Sequence, residues 1–424
     1  MKAINAIRMG GIDVLPLIEG GKGVSISNGF SSGNWAAAGG VGTFSAVNAD
    51  SFDTFGNRIK QIYHGRTRIA RHEELVAYAI NGALTQARRA YELASGKGRI
   101  HANILWEMGA AERIITEVLE QAKGIINGIT CGAGMPYRLS DIATRFNVYY
   151  YPIISSARAF NALWKRAYSK AAELLGGVVY EDPWLAGGHN GLSNGEDPTR
   201  PEDPYPRVLA LRQVMRGFGL GETPIIMAGG VWWLEEWQDW IDNRELGPIA
   251  FQFGTRPLLT KESPIGDAWK KKLLTLKEGD VFLNHFSPTG FYSSAVNNGF
   301  IQELRERSIG ARADTIALRY VEDPAKIAAG AQHYAELCVG CHLAPGVTKS
   351  EIRPGLYPHP PNLAEEDLHD GRRAFWIIKH GIKMSAMPAW SKSLDDEAIW
   401  DVVSFLRKMP DMTPQTYEEL LWGR

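Results

Sequence analysis

Through residue 253, short apolar runs rich in β-branched and aromatic residues alternate with longer stretches whose apolar positions recur at helical spacing. The short runs predict strands at Leu15–Glu19, Val41–Ala46, Ile100–Leu105, Gly128–Cys131, Tyr150–Ile154, Gly177–Tyr180, Pro224–Ala228 and Ile249–Phe253. Between most of them lie helix-length segments: His72–Leu93, Gly109–Gln121, Ala157–Leu175 and Val208–Phe218. Near-continuous apolar strands separated by crossover helices imply a parallel sheet covered by helices. Their number predicts an α/β fold of the (β/α)8 TIM-barrel type, with a doubly wound open sheet as the alternative.

Beyond residue 322 the pattern is purely helical. Asp323-Pro324 supplies an N-cap and a proline for a first turn, and Ile327, Tyr334 and Leu337 follow at helical intervals. Ser393-Leu-Asp-Asp396 reads as a capping box opening a last helix with the apolar stripe Ile399, Val402, Val403 and Leu406. A chain of 424 residues exceeds what one core usually spans. The expected division is a barrel over 1–310, a linker over 311–321, and a small all-α domain with a C-terminal tail over 322–424.

The all-α segment carries the most specific chemistry. Cys338-Val-Gly-Cys341-His342 has the spacing at which two thiols reach one porphyrin edge while the adjacent imidazole becomes the proximal iron ligand of a c-type haem. A zinc half-site or a redox CxxC is the plainer alternative, but the one other cysteine is Cys131. A Met sulfur downstream is expected as the sixth ligand. Met387 is preferred over Met384 because Pro388 holds it in extended backbone. This order of parts resembles a monohaem class I cytochrome c over roughly 322–412, which implies that the carbonyl of Pro345 orients His342.

In a barrel the chemistry belongs at the carboxyl ends of the strands. Strand 7 runs into Gly229-Gly230 and strand 8 into Gly254-Thr255, the two loops that bind phosphate in this architecture. That pairing reads as a site for the FMN phosphate. Gly39-Gly40-Val41-Gly42 precedes a strand instead of joining a strand to a helix, so it is not a dinucleotide fingerprint. A net charge of −1 gives no argument for nucleic acid, and no apolar run is long enough for a membrane span.

Several ordered blocks resemble the nitronate monooxygenase family of FMN barrels, which also includes flavin-dependent enoyl reductases. They are Glu19-Gly-Gly-Lys-Gly-Val-Ser-Ile-Ser, Gly39-Gly-Val-Gly-Thr-Phe-Ser, Thr130-Cys-Gly-Ala-Gly-Met-Pro136, Pro152-Ile-Ile-Ser-Ser-Ala-Arg158, Leu185-Ala-Gly-Gly-His-Asn-Gly191, Met227-Ala-Gly-Gly230, Phe253-Gly-Thr-Arg256 and Ser287-Pro-Thr-Gly290. The resemblance implies that Gly20 and Gly21 lie against the isoalloxazine, that Asn103 contacts it, and that Gly188 borders it. It further implies that Gly229, Gly230, Gly254 and Thr255 hold the phosphate and that His189 is the active-site base. The chain departs from the family in carrying Glu19 and Lys22 around the first glycines, where a carboxylate and an ammonium bear on flavin potential. Asn190 to Arg207 reads as a lid, a docking surface or a solvated insertion. His285 is a second histidine candidate for the flavin face, and Cys131 reads as a small packed residue.

Together the two parts imply a flavocytochrome: a small nitronate-like organic substrate is oxidised by FMN and one covalent haem c carries electrons onward, with an external acceptor as partner. The alternatives are an oxygen-using nitronate monooxygenase with an accessory haem, an enoyl reductase-like enzyme, and a non-catalytic electron carrier or sensor. Covalent haem points to the periplasmic side, although the first ten residues carry no h-region or twin-Arg pattern.

Overall fold

The computed structural model describes residues 2–53, 57–193, 195–284, 292–305, 323–366, 368, 370–383 and 385–422, without the side chains of His189 and Arg372. Met384, His285, the block 287–290 and the linker 311–321 therefore lie outside the described residues. The chain forms two compact units, one holding the described residues through Val296 and the other beginning at Asn297.

The first unit is a closed parallel barrel, which excludes the open sheet. It is preceded by a hairpin of β1 (Ile7–Met9) and β2 (Ile12–Val14). Its strands in chain order are β3 (Leu17–Glu19), β4 (Val41–Ser45), β5 (Arg99–Leu105), β6 (Gly128–Gly132), β7 (Tyr149–Ile154), β8 (Val178–Glu181), β10 (Ile225–Ala228) and β11 (Ile249–Phe253). Between β8 and β10 lies the two-residue β9 (Gly188–His189). All the strands expected from the apolar runs are present, with ends shifted by at most two residues. Closure comes from β11 pairing with β3, Phe251 opposite Leu17 and Phe253 opposite Glu19.

Alternation sorts the side chains. On β5, Ile100, Ala102 and Ile104 join the apolar layer under the helices, whereas His101 turns to the axis and stacks on Tyr151 with ring centroids 4.2 Å apart. Met9 and Val14 of the hairpin pack with Ile18, Val41, Tyr151, Val179, Ile226 and Ala250 inside the barrel. The hairpin carbonyl of Gly10 takes a hydrogen bond from Arg99 at the start of β5, so the hairpin plugs the amino-terminal end. The carboxyl-terminal mouth is left for chemistry.

The helices α2 (Arg68–Ala94), α3 (Ala111–Gln121), α5 (Ala157–Arg166) and α6 (Pro204–Gly217) occupy expected places. Helix α6 starts ahead of the expected Val208 because Asp203 caps it and Pro204 fills its first turn. Two further helices, α1 (Gly29–Ala37) and α4 (Leu139–Phe146), were hidden in the sequence. In α1 the run of Gly, Ser, Asn and Ala looks like a loop, yet Asn28 caps it and its small residues let it lie close on the alanine-rich side of α2. The segment expected as one helix over Ala157–Leu175 is divided, a 3-10 stretch at Tyr168–Leu174 following α5.

One fully buried cation ties the barrel wall together. Arg212 on α6 is 0 % exposed and donates to the carbonyls of Gly221 and Thr223 at 2.8 Å, Pro248 at 3.0 Å, Leu220 at 3.3 Å, and also Leu246. It thereby satisfies the turns that feed β10 and β11.

The second unit is helical. The helix Pro324–Leu337 is capped by Asp323 as its sequence indicates, and it packs on Asp396–Lys408 through Ala331, Tyr334, Val402 and Phe405. The cap of the latter helix is Asp395, whose carboxylate accepts from Ala398 N at 2.8 Å; the expected capping box from Ser393 does not form. Residues expected as a tail form a further helix, Pro414–Trp422, that buries Tyr417 in this core. Among the described residues no helix is long and apolar enough to cross a membrane.

Replacing Arg212 with Leu leaves five carbonyls without their donor, those of Leu220 and Leu246 buried and the other three part-buried, and unsatisfied buried groups cost about 1–3 kcal/mol each before relaxation and water entry. Arg212→Leu is expected to lower stability by roughly 3–5 kcal/mol in urea unfolding. A loss under about 1 kcal/mol would show that the carbonyls find other partners.

Candidate functional site

At the mouth of the barrel, β3 delivers Gly20 and Gly21. Gly20 N donates to Phe253 O at 2.9 Å, and the Gly20 carbonyl accepts from both Ser27 Oγ at 2.9 Å and Lys22 Nζ at 2.7 Å. Gly21 lies so close to Asn103 that a Cβ built on it would stand 2.4 Å from Asn103 Cβ. Only glycine fits there. Asn103, buried at the end of β5, donates to Thr130 Oγ1 on β6 at 3.2 Å. Barrel closure thus unites Gly20, Gly21 and Asn103 at one rim.

The two glycine pairs lie at the ends of β10 and β11, which are adjacent strands. Gly229 and Gly230 both have positive φ, +96° and +71°, and a Cβ on Gly229 would sit 2.9 Å from Ala186 N and Asp182 Cβ. At Gly254 a Cβ would meet nothing within 4 Å, so the loop after β11 faces open space, and Thr255 leads directly into a 3-10 turn at Arg256–Leu259. Arg256 joins the two loops: its Nη1 donates to Trp232 O at 2.9 Å and its guanidinium lies 4.6 Å over the Trp233 ring. In the sequence Arg256 stands inside the block Phe253-Gly-Thr-Arg256 with nothing to mark a role of its own. It brings positive charge to the glycine rim.

Gly188 and His189 form β9. Their backbone pairs with Ser294 and Ser293 of β13 (Ser293–Val296), which is itself paired with β12 (Val281–Asn284). This small sheet, invisible in the apolar pattern, fixes the loop after β8 with a strand brought from about a hundred residues downstream. Around Gly187 and Gly188 a Cβ would meet nothing within 4 Å, leaving space beside the His189 backbone.

Carboxylates stand at the ends of two strands, Glu181 and Asp182 at β8 and Glu19 at β3. Glu181 ends β8 two residues after the axis-facing Val179, so it is on the axis side of the strand and level with Ala228. Burial, with the neighbouring charge of Asp182, pushes its carboxyl up to about 7. The strand was expected to end at Tyr180; continuing the alternation one residue would have found Glu181. Asp182 is held above the usual carboxylate range by burial, and its Oδ1 accepts from Trp184 N and Leu185 N at 2.9 and 2.8 Å. Glu19 is 1 % exposed; its Oε1 accepts from Ser31 Oγ at 2.8 Å and lies 3.5 Å from Lys22 Nζ. Burial raises the Glu19 carboxyl against the pull of Lys22 and lowers the Lys22 ammonium against the pull of Glu19. The pair fixes the path of Gly20 and Gly21.

The insertion after β9 is pinned by Arg207. Its guanidinium bonds Tyr180 Oη at 2.9 Å, Glu196 Oε1 at 2.6 Å, Glu202 Oε2 at 2.7 Å and Ser155 O at 3.1 Å, and it lies 5.1 Å over Trp184. This network ties the segment to the barrel. Cys131 is fully buried in the apolar layer and its thiol is pushed well up by burial, as fits a packed residue.

In the helical unit Cys338, Cys341 and His342 share one turn, with Cys341 N and His342 N donating to Cys338 O at 3.0 and 2.9 Å. Both thiols are free, and burial, then the neighbouring Cys341, pushes Cys338 up to about 12. His342 Nδ1 meets the carbonyl of Pro361 at 3.1 Å, not that of Pro345. The reason is local: Ala344 and Val347 close a tight bridge around Pro345, and the chain returns with Leu363 N donating to His342 O at 3.2 Å, which brings Pro361 beside the ring. A fixed Nδ1 leaves Nε2 for a metal. Met387 is held in a narrow loop: its carbonyl accepts from Ile382 N at 3.1 Å and its N–H donates to Ser385 Oγ at 3.1 Å. It is partly buried against the same core as Cys338, Val339 and Trp390.

The family model for nitronate monooxygenase matches residues 9–356. The chain belongs to the nitronate monooxygenase family. A second model, cytochrome C oxidase, cbb3-type, subunit III, matches residues 325–406, so this family member carries a cytochrome c domain behind its barrel. It is accordingly a flavin-dependent oxidoreductase with a haem c domain. No curated protein matches the chain. Among solved structures, FabK from Thermotoga maritima aligns at 17% identity over 72% of this chain and 78% of its own, with a TM-score of 0.46. Nitroalkane oxidase from Streptomyces ansochromogenes aligns at 16% identity over 68% and 78%, with a TM-score of 0.49. The enoyl reductase domain of MlnA from Bacillus amyloliquefaciens aligns at 12% identity over 67% and 64%, with a TM-score of 0.43. These likenesses are too loose to carry an argument about chemistry.

Glu181 gives this family member a pH signature. A folded pKa of about 7 against an ordinary 4.5 means that the folded chain holds a proton the unfolded chain has lost. Stability from this group is therefore present at low pH, falls as pH rises between those values, and is level above them. Glu181→Gln is expected to match the parent in urea midpoint near pH 4 and to exceed it above pH 7. An equal offset at both pH values would contradict the assignment.

Proposed function

We propose that this nitronate monooxygenase family member is a flavocytochrome that oxidises a small, nitronate-like carbon acid and sends the electrons to its own haem c. The observation that carries the reading is the His342 ring, oriented by Pro361, in the same turn as two cysteines that form no disulfide, within a chain whose barrel belongs to a flavin family. FMN accepts two electrons from an organic substrate, and haem iron takes one at a time.

The residues at the rim fit a flavin mononucleotide. Gly229, Gly230, Gly254 and Thr255 offer backbone N–H groups at two adjacent strand ends, with open space at Gly254, and Arg256 supplies the charge a phosphate needs. Gly20 and Gly21 present a wall free of side chains, Asn103 an amide and Gly188 an unobstructed edge. His189 takes the substrate proton as base, and Glu181, ionising near neutrality, is a second proton acceptor at the mouth. On the haem side Cys338 and Cys341 would hold the porphyrin through thioether links, and His342 and Met387 would hold its iron.

The family name favours a second reading, in which the barrel uses oxygen directly and the haem is accessory. The two separate in an anaerobic absorbance titration of the haem-loaded, FMN-loaded chain with a nitronate. The proposal expects loss of the oxidised flavin band followed by ferrous haem, with turnover reduced about 100-fold or more in His189→Ala. Reduced flavin beside ferric haem, together with oxygen consumption that survives His342→Ala, would replace it by the second reading.

Met387→Ala provides an independent check on the axial ligand. Loss of a thioether ligand is expected to lower the haem potential by roughly 100 mV or more in equilibrium redox titration, with flavin content unchanged. An unaltered potential would remove Met387 from the ligand set.

A further inference from the structure

The flank of the barrel, away from the mouth, holds a cavity of about 330 Å³ between β3, α1 and the segment after β11. Its wall is mostly apolar: Leu15, Leu17, Trp35, Ala38 and Pro257. Set into that wall is Glu19, whose side chain is 1 % exposed and whose Oε2 has no hydrogen-bond partner. Glu262 lies at the half-buried edge, where its backbone carbonyl accepts from Asn28 Nδ2 at 3.1 Å and so ties this edge to the cap of α1.

A buried carboxylate oxygen without a partner is costly, and burial of this kind persists where something completes it. Lys22 and Ser31 both engage Oε1, which leaves Oε2 with an unused acceptor. The wall also carries Ser31, Asn34, Thr260 and the two carboxylates Glu19 and Glu262, but the described residues hold no group of three His, Cys, Asp or Glu side chains of the kind a hard metal ion demands. An organic ammonium suits the same wall: its N–H groups meet the carboxylate while its hydrocarbon part lies on the leucines and the indole.

We propose that this flank cavity binds a small organic amine, with the ammonium on Glu19 Oε2, a second attraction from Glu262, and the hydrocarbon tail against Leu15, Leu17 and Trp35. The site is separate from the flavin rim and does not depend on the redox reading. It is nevertheless one residue from that rim, since Glu19 precedes Gly20 and holds Lys22, whose ammonium bonds the Gly20 carbonyl. An occupant that takes charge from Glu19 would loosen its hold on Lys22.

The test is isothermal titration of the full-length, cofactor-loaded protein with n-butylammonium, beside 1-butanol and butyrate as neutral and anionic probes of similar size. Butylammonium is expected to bind at least 10-fold more tightly than butanol, and butyrate not at all. Glu19→Gln is expected to weaken butylammonium binding 10-fold or more without affecting butanol. Glu262→Gln, at the edge of the cavity, is expected to weaken it about 2- to 5-fold and serves as the readout if Glu19→Gln does not fold. Equal binding of the ammonium and the alcohol would overturn the proposal in favour of a merely apolar cavity, as would full affinity in Glu19→Gln. In a folded Glu262→Gln protein, unchanged affinity would remove the second attraction, and absence of butylammonium binding to the parent protein at millimolar concentration would overturn the site altogether.

Discussion

Barrel closure is the constraint on which the rest of the barrel unit rests. When Phe251 pairs with Leu17 and Phe253 with Glu19, residues more than two hundred positions apart become neighbours, and Gly20 N is fixed on Phe253 O. The glycine wall of β3 then stands next to the loop after β11, and the loop after β10 lies on the other side. The flank cavity follows from the same closure, since its walls come from β3, α1 and the chain after β11. No local propensity makes these contacts; they exist because a parallel sheet with this many strands can satisfy its edges by meeting itself.

Polar groups in this unit are concentrated where closure leaves backbone or charge to be answered. Arg212 satisfies the carbonyls at the amino-terminal side of β10 and β11, and Arg207 binds the insertion after β9 back to the wall. Glu181, Asp182 and Glu19 lie near the carboxyl side, each with its carboxyl raised by burial. The barrel therefore plugs its amino-terminal end and leaves its carboxyl-terminal rim open, while buried polar atoms without a partner occur at both, among them Arg99 Nε and Tyr151 Oη beside the plug and Asp182 Oδ2 at the rim.

The helical unit uses a different device. Its cysteines and histidine occupy a single turn, so their relative positions come from local helical geometry, while the orientation of His342 depends on a return of the chain that the sequence does not announce. Pro345 is the partner that the resemblance to a class I cytochrome c implies. The tight bridge between Ala344 and Val347 removes it, and Pro361 takes the place. The loop that carries Met387 is likewise closed by its own backbone bonds to Ile382 and Ser385.

By itself the sequence determined the barrel, because near-continuous apolar strands spaced by amphipathic helices have few other ways to bury both faces. It also determined the haem motif, whose chemistry lies within five consecutive residues, and the glycine pairs after β10 and β11. It concealed α1, whose Gly, Ser and Ala residues pack by smallness instead of by an apolar stripe, and the β9, β12 and β13 sheet, which pairs segments distant in the chain. The tertiary structure alone decided that Gly21 must lie against Asn103, that Arg256 bridges two loops, and that Glu19 keeps one oxygen unanswered. Those facts are relations between side chains brought together by closure, and periodicity along one strand carries no information about which other strand will stand beside it.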